Sequence, residues 1–302
     1  MLNQLLYITW DPNLVAFEIN LFEVSLAIRW YSLCWLIGLA LAYFVVRQLF
    51  KDQKIPDEKF DPLFIYCFLG ILVGARLGHC IFYEPEYFLS SGKHMVEMIL
   101  PIKFSADGDW HLTGYEGLAS HGGTLGLILA LLLYVKRMGV KLWTVLDNIA
   151  IATGTTACFI RLGNLMNSEI VGKVTDVPWA FLFVNGHPSI AHEPRHPAQL
   201  YEALAYALLF IIMIILYKKS KQPTANSQQP AVPQVGTGFY FGLCLFYIFL
   251  FRFFIEYTKE IQVDFEAGLP LDMGQILSLP FIAIGGWFMM KGWKKVKVNS
   301  EK

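Results

Sequence analysis

At 302 residues the chain could hold one large or two ordinary soluble domains, but its composition argues against a soluble protein. Hydrophobic residues make up 55% of it and charged residues only 16%, with a mean hydropathy of +0.47, whereas soluble domains carry about 25% charged residues. The formal net charge of zero excludes a nucleic-acid binder that relies on overall basicity.

Apolar stretches recur along the chain, each near the length of a membrane-spanning helix. A bilayer core about 30 Å thick needs roughly 20 apolar residues of helix. In chain order the seven predicted spans are 21–46, 62–83, 117–135, 142–162, 198–217, 238–257 and 273–290. The sequence therefore predicts an all-α polytopic membrane protein in which residues 1–302 form a single membrane domain.

The basic residues predict the orientation of these spans. With the N-terminus outside, the cytoplasmic segments hold fifteen lysines and arginines, whereas the outer segments hold five. This distribution satisfies the rule that cytoplasmic loops carry the excess of positive charge. Because the number of predicted spans is odd, we expect the C-terminus in the cytoplasm.

Three segments between the spans differ in composition. Residues 84–116 and 163–197 are long outer segments with Gly, Pro and aromatic residues, so we expect them to form small extracytoplasmic caps. Residues 218–237 are rich in Gln, Pro, Ser and Asn, a composition that does not bury a core. We expect a flexible cytoplasmic linker there.

Four arginines lie within the predicted spans, where a charge costs about 2.5 kcal/mol or more unless it is paired, solvated or functional. They are Arg29, Arg76, Arg161 and Arg252. Arg76 is equally compatible with a structural pair, and Arg29 with packing at the interface. Most other polar residues of the spans, including His121, Glu202 and Glu256, fall in the predicted outer half. This distribution favours one polar cavity that opens toward the outer leaflet.

Local spacing suggests what the cavity binds. Arg252 and Glu256 are four residues apart and could pair on one helix face, and Arg161 shares a face with Asn164 if its helix continues that far. Such residues could simply tie helices together, at about 0.6 kcal/mol each. Two arginines from different helices at one depth instead indicate an anion cradle, because guanidinium forks match phosphate oxygens. His121 adds a titratable imidazole beside two glycines.

The segment RLGNLMNSEIVG, from Arg161 to Gly172, resembles the signature of the prolipoprotein diacylglyceryl transferases, R-x-G-N-x-x-N-x-E-x-x-G. All six fixed positions are met. Further segments that fit the family in the same order begin at Ile28 (IRWY), Ala75 (ARLG), Ser120 (SHGG), Arg195 (RHPAQLYE), Phe251 (FRFFIE) and Met273 (MGQILS). The resemblance therefore covers about residues 20–290.

The resemblance implies a reaction. The family transfers the diacylglyceryl group of phosphatidylglycerol to the lipobox cysteine thiol of a preprolipoprotein, which forms a thioether and releases glycerol phosphate in the first step of bacterial lipoprotein maturation. Negative charge then builds on the departing phosphate, where arginines would stabilise the transition state. The implied partners are phosphatidylglycerol, the preprolipoprotein signal peptide and membrane lipids, and the implied location is the bacterial cytoplasmic (inner) membrane.

The reaction that the resemblance implies suggests a role for each candidate residue, as a hypothesis. Arg161 and Arg252 bind the phosphate, and His121 accepts the thiol proton directly or through water, which contributes about 10²–10⁴-fold. Glu169 and Glu256 orient the arginines and keep the buried charge paired. The remaining predicted binding residues are Asn164 and Tyr31, which hold headgroup hydroxyls, and Gly172 of the signature.

No cofactor or metal is expected. The leaving group is already activated as a phosphodiester. The five cysteines lie singly in apolar stretches, and the histidines of the second outer segment lack a convincing ligand spacing (His187, His192 and His196).

A transporter or lipid scramblase is the alternative, because intramembrane Arg and Glu also mark substrate pathways. Transporters usually consist of two halves with matching hydropathy and helices broken near the midplane. This sequence shows no duplication, and its polar residues cluster on one side. The transferase is therefore the favoured function.

Overall fold

The computed structural model describes residues 7–21, 24–105, 109–113, 117–188, 190, 192–224, 227–230, 232–259 and 270–300. Most of these residues are helical. In chain order the elements are β1 (Tyr7–Trp10), β2 (Val15–Leu21), β3 (Val24–Arg29), α1 (Trp30–Asp52), α2 (Asp57–Phe82), α3 (Pro85–Phe88), α4 (Gly92–Ile99), β4 (Ile102–Phe104), β5 (Trp110–Leu112), α5 (Ser120–Met138), α6 (Leu142–Met166), β6 (Ala180–Phe183), α7 (Ala198–Ser220), β7 (Pro223–Thr224), β8 (Ser227–Pro230), α8 (Phe239–Ile255), a 3₁₀ turn (Glu256–Thr258) and α9 (Met273–Ser300).

Six helical segments are long and apolar enough to cross a membrane, by length and composition, within the described ranges. They are Trp30–Asp52, Asp57–Phe82, Leu142–Met166, Ala198–Ser220, Phe239–Thr258 and Met273–Lys294. The chain is therefore a polytopic, multi-pass membrane protein. The predicted third span forms as α5, which falls outside this set because it begins with polar residues and glycines and ends with Lys136 and Arg137. Its crossing of the membrane, and the orientation, remain predictions.

The predicted first span begins too early. Its helix starts at Trp30, whereas the preceding residues form the antiparallel β2–β3 hairpin, in which Ile19 pairs with Leu26. Arg29 ends β3 and so precedes the spanning helix, which corrects its assignment to the interior of a span. The error arose because hydropathy alone does not distinguish an apolar strand from an apolar helix.

The chain divides into two compact units, Met1–Leu49 with Trp143–Lys302 and Phe50–Leu142. In the second unit, α2 and α5 pack through glycines that let their backbones approach closely. A Cβ added to Gly126 would lie 2.9 Å from the Cα of Gly74 and overlap the carbonyl oxygen of Gly70. Small residues at such spacing are typical of tightly packed helices in membranes.

In the second unit, the described residues of the segment 84–116 pack around a buried carboxylate. Glu97 of α4 is 2% exposed and accepts hydrogen bonds from the Tyr87 hydroxyl (2.8 Å) and the Phe104 N–H (2.7 Å). Burial opposes its ionisation, but these hydrogen bonds, together with the nearby His94 and Lys103, outweigh that effect and lower the pKa of Glu97. Arg76 of α2 donates to the Glu97 carbonyl oxygen at 2.9 Å and lies over the Phe88 ring. Arg76 thus joins this segment to α2, the structural alternative left open above.

In the first unit, α6, α7 and α8 share a core around Ile151, Leu209, Met213 and Tyr240, all fully buried. The parallel pairing of β1 with β6 adds a smaller apolar cluster. There the Trp10 indole N–H donates to the Leu165 carbonyl oxygen at 2.9 Å and thereby attaches β1 to the end of α6.

Within the segment 218–237, the described residues include regular structure, and its role as a flexible linker stays a prediction. α7 continues to Ser220, the β7–β8 pair follows, and Val232 is buried against the core. The buried carboxylate of Asp147 on α6 accepts backbone N–H bonds from Gly236 (2.8 Å), Gly238 (3.0 Å) and Phe241 (2.9 Å). This carboxylate satisfies N–H groups that the start of α8 leaves unpaired, an interaction between distant residues that local composition does not reveal.

We predict that Gly126→Ala destabilises the second unit by about 1–3 kcal/mol, because the new methyl group forces α2 and α5 apart. Thermal unfolding in detergent measures the effect. The matched control is Gly123→Ala, whose Cβ would lie 3.4 Å from the Ala75 Cβ, an ordinary contact. Equal stability of the two variants would contradict the proposed close packing.

Candidate active site

The family-like signature begins near the end of α6, which continues to Met166 and so places Arg161 and Asn164 on one face. Arg161 Nη1 lies 3.5 Å from Asn164 Oδ1, and Asn164 Nδ2 donates to Glu169 Oε2 at 3.2 Å. Asn167 Nδ2 donates to the other oxygen of Glu169 at 3.0 Å. Both asparagines thus hold the exposed Glu169 side chain, which contacts Arg161 only through Asn164.

The direct partner of Arg161 is Glu202 on α7, a residue absent from the predicted site. Glu202 is 1% exposed; its Oε2 lies 3.1 Å from Arg161 Nε and its Oε1 3.2 Å from Lys259 Nζ. Oε2 accepts no aligned hydrogen bond from the described residues, so its contact with Arg161 is an ion pair by distance. Lys259 Nζ also lies 3.7 Å from Glu256 Oε2. We call the four side chains, which alternate in charge, the buried ion chain: Arg161, Glu202, Lys259 and Glu256.

The backbone after α8 explains how Lys259 reaches two carboxylates. Glu256–Thr258 form a 3₁₀ turn, in which side chains three residues apart eclipse one another. Lys259 also forms an antiparallel bridge with Gly172, the last signature residue. A Cβ on Gly172 would lie 2.6 Å from the Thr258 carbonyl oxygen and from the His196 Cβ, so only glycine allows this approach. Gly172 therefore brings the signature against the turn that carries Lys259.

The predicted pair between Arg252 and Glu256 is absent among the described residues. Glu256 instead pairs with Lys259, which the 3₁₀ turn aligns with it, and the Arg252 side chain is exposed. Arg252 nevertheless lies close enough to the Tyr206 hydroxyl to interact with it electrostatically, and so does Arg161. Tyr206 is thus a common neighbour of the two predicted phosphate-binding arginines.

The predicted site residues Tyr31 and His121 belong to different units of the chain. Tyr31, in the first turn of α1, packs on α6, where a Cβ added to Gly163 would lie 3.0 Å from its ring. This contact is one residue from Asn164. His121 belongs to the second unit and is the second residue of α5. Its side chain is exposed, and its ring has no hydrogen-bond partner among the described residues. Its chemical role remains a prediction.

The geometry of the arginines, rather than an excess of charge, favours anion binding. Three cations, Arg161, Arg252 and Lys259, accompany three carboxylates, the buried Glu202 and Glu256 and the exposed Glu169, so the group has no net charge. A guanidinium whose Nε faces a carboxylate keeps its terminal nitrogens for another partner. The arrangement can therefore bind a phosphate and stabilise charge that develops on it.

The sequence pointed only weakly to Glu202 and Lys259. Glu202 lies in the family-like segment that begins at Arg195, and its position at the outer start of a span could have marked it as a partner for Arg161. In the sequence, Lys259 was one of the five basic residues of the predicted outer segments and had no assigned role in the site. Its burial, at 6% exposure, depends on the 3₁₀ turn, which hydropathy does not predict.

Comparison with known proteins gives one consistent result. A family model described as "Prolipoprotein diacylglyceryl transferase" matches residues 19–291. A Bacteroides fragilis protein is 55% identical over 99% of this chain and its own full length, and a Tolumonas auensis protein is 40% identical over 95% of this chain and 98% of its own. A Porphyromonas gingivalis protein is 38% identical over 95% of both chains. All three are named phosphatidylglycerol–prolipoprotein diacylglyceryl transferase.

We predict that Glu202→Gln destabilises the protein by about 3–5 kcal/mol, because it leaves Arg161 and Lys259 without their shared buried anion. Thermal unfolding in detergent provides the measurement. Glu193→Gln is the control; Glu193 is 61% exposed and lies 3.8 Å from Nη2 of the buried Arg195, which keeps its hydrogen bond to the Gly172 carbonyl oxygen, so the loss should be much smaller. A Glu202→Gln variant as stable as the control would show that the buried ion chain does not hold the fold.

Proposed function

The chain belongs to the prolipoprotein diacylglyceryl transferase family, and we propose that it carries out the family reaction at the site built around Arg161 and Glu202. It is a phosphatidylglycerol–prolipoprotein diacylglyceryl transferase: it moves the diacylglyceryl group of phosphatidylglycerol to prolipoprotein in the first step of lipoprotein maturation. The acceptor is the thiol of the lipobox cysteine.

The reaction needs a base and an anion-stabilising group. The cysteine sulfur attacks the glycerol carbon next to the phosphate, a carbon–sulfur bond forms, and the carbon–oxygen bond to the phosphate breaks. Glycerol phosphate leaves with the bonding electrons, so that negative charge grows on the phosphate oxygens. Preorganised donors aimed at those oxygens supply the largest share of catalysis in such reactions.

Arg161 is the central phosphate ligand in this proposal. The observation that carries it is the contact of Arg161 Nε with the buried Glu202 carboxylate at 3.1 Å. Because Glu202 engages Nε, both terminal nitrogens can face the phosphate; among the described residues their one hydrogen-bond acceptor is Asn164 Oδ1, at a long 3.5 Å. Arg252, exposed and near Tyr206, provides the second guanidinium.

The other predicted residues support this pair. Asn164 and Tyr31, at and beside the end of α6, would hold the glycerol hydroxyls of the headgroup, and Glu169 would orient Arg161 through Asn164. Gly172 contributes through the close approach of its backbone. Glu256 acts through Lys259, which connects it to the carboxylate that holds Arg161.

His121 is the proposed base. Its exposed ring, at the start of α5, can accept the thiol proton directly or through water. The proton then passes to solvent or to the departing phosphate. A thiol ionises near neutral pH only with such help, because the ordinary pKa of cysteine is about 8.5.

We place the protein in the bacterial cytoplasmic membrane with the site toward the outer leaflet. The excess of positive charge in the predicted cytoplasmic segments supports this orientation, with α5 as the third of seven spans. Phosphatidylglycerol would enter sideways from the bilayer. The signal peptide would approach with its cysteine already across the membrane.

We predict that Arg161→Ala and Arg252→Lys each lower kcat by about 10²–10³-fold, because each removes a guanidinium fork from the developing phosphate charge. Purified protein, phosphatidylglycerol and a lipobox peptide are incubated, and mass spectrometry detects the gain of one diacylglyceryl unit. Arg137→Lys, at the exposed end of α5, is the control and should match the wild type. Folded wild-type protein that moves lipid without changing the peptide would instead support the transporter function.

We predict that His121→Gln lowers kcat by about 10²–10⁴-fold at neutral pH, with partial recovery as rising pH ionises the thiol without help. His111→Gln is the control, since His111 is an exposed histidine of β5 in the same unit. The same peptide assay across pH 6–9 (roughly the range over which His and Cys titrate) gives the profile. A pH profile of His121→Gln that parallels the wild type would remove His121 from the role of base.

A further inference from the structure

The turn that follows α6 contains two residues in an unusual backbone conformation. The Ser168 N–H bonds to the Leu165 carbonyl oxygen at 3.1 Å and the Glu169 N–H to the Asn164 carbonyl oxygen at 3.0 Å. This pair of bonds is the Schellman pattern, in which the residue at the position of Ser168 adopts a left-handed conformation and is usually glycine. Ser168 has φ +55°. The helix therefore ends by a common mechanism, with serine in place of glycine.

The Schellman pattern does not account for Ile170, which adopts the same left-handed backbone conformation. Its φ is also +55°, although it is β-branched, and β-branched residues are strongly disfavoured in this region. The side chain is exposed, so burial of an apolar group does not compensate. Strain of this kind persists only where the surroundings enforce it, and it concentrates at functional sites.

A side chain of α7 bonds to the peptide group that precedes Ile170. Gln199 is fully buried, and its Nε2 donates to the Glu169 carbonyl oxygen. That carbonyl belongs to the peptide group between Glu169 and Ile170, so its direction is coupled to the φ of Ile170. Gln199 Oε1 accepts no hydrogen bond from the described residues. Among them, the bond from Nε2 to Glu169 is therefore the one polar contact of this side-chain amide.

We propose that Gln199 is a positioning residue, whose amide holds the Glu169–Ile170 peptide group in its strained conformation. This fixes the Glu169 carboxylate between Asn164 and Asn167 and, through Asn164, beside Arg161. The inference rests on the proposed function for its effect on catalysis, but not for its effect on the turn. Glu202 lies one helical turn after Gln199. The start of α7 therefore positions both Arg161, through Glu202, and the turn at Glu169, through Gln199.

The test combines loss of the contact with relief of the strain. Gln199→Met keeps the side-chain length but removes the donor. It should accelerate amide hydrogen exchange across residues 167–172 and lower kcat/KM for phosphatidylglycerol by roughly 10- to 100-fold. Ile170→Gly removes the steric penalty, so Gln199→Met/Ile170→Gly should recover protection and return to within about threefold of wild-type activity.

Lys54→Gly is the matched control, because Lys54 is also left-handed, with φ +56°, but lies in the turn between α1 and α2. It relieves a similar strain elsewhere, so Gln199→Met/Lys54→Gly should remain impaired. The proposal is overturned if Gln199→Met leaves exchange or activity unchanged, or if Lys54→Gly rescues as well as Ile170→Gly does. A wild type that fails to transfer lipid would contradict the proposed function, while the exchange data would still decide whether Gln199 holds the turn.

Discussion

The buried ion chain, Arg161–Glu202–Lys259–Glu256, is the constraint on which the first unit depends. Isolated charges are very costly in a low-dielectric interior, so each of these groups needs its neighbours. Arg161 comes from the end of α6, Glu202 from the start of α7, and the other two from the turn after α8. Three helix ends must therefore meet at one place for the charges to be paired.

The same pairing prepares the site for its substrate. Glu202 fixes Arg161 through Nε and thereby orients the terminal nitrogens, while Lys259 balances the second oxygen of that carboxylate. The arginine is then rigid before phosphate arrives, and the cost of ordering it has been met on folding. Glycine at position 172 contributes to the same end, because any side chain there would separate the signature from the turn that carries Lys259.

Patterns local in sequence were predictable, and contacts between distant segments were not. Hydropathy located the apolar helices, and the twelve-residue signature from Arg161 to Gly172 identified the family, because both depend on neighbouring residues. The start of α1 was missed because an apolar hairpin precedes it. The pairing of Arg161 with Glu202 joins residues 41 positions apart on two helices, and helix-face spacing relates only residues three or four apart. The same spacing rule allowed Glu256 to pair with Arg252, whereas the structure pairs it with Lys259, on the far side of the 3₁₀ turn that Glu256 begins.

The most direct test of the account asks which nitrogen atoms touch the lipid phosphorus. The protein is labelled with ¹⁵N in its arginine and lysine side chains and reconstituted in phosphatidylglycerol, and phosphorus–nitrogen dipolar coupling is measured by solid-state NMR. The account predicts coupling from the terminal nitrogens of Arg161 and Arg252 but not from Arg161 Nε, which faces Glu202; in Arg161→Lys only the Arg252 coupling should remain. Coupling carried by Lys259, or unchanged in Arg161→Lys, would contradict the claim that the ion chain presents Arg161 to the phosphate.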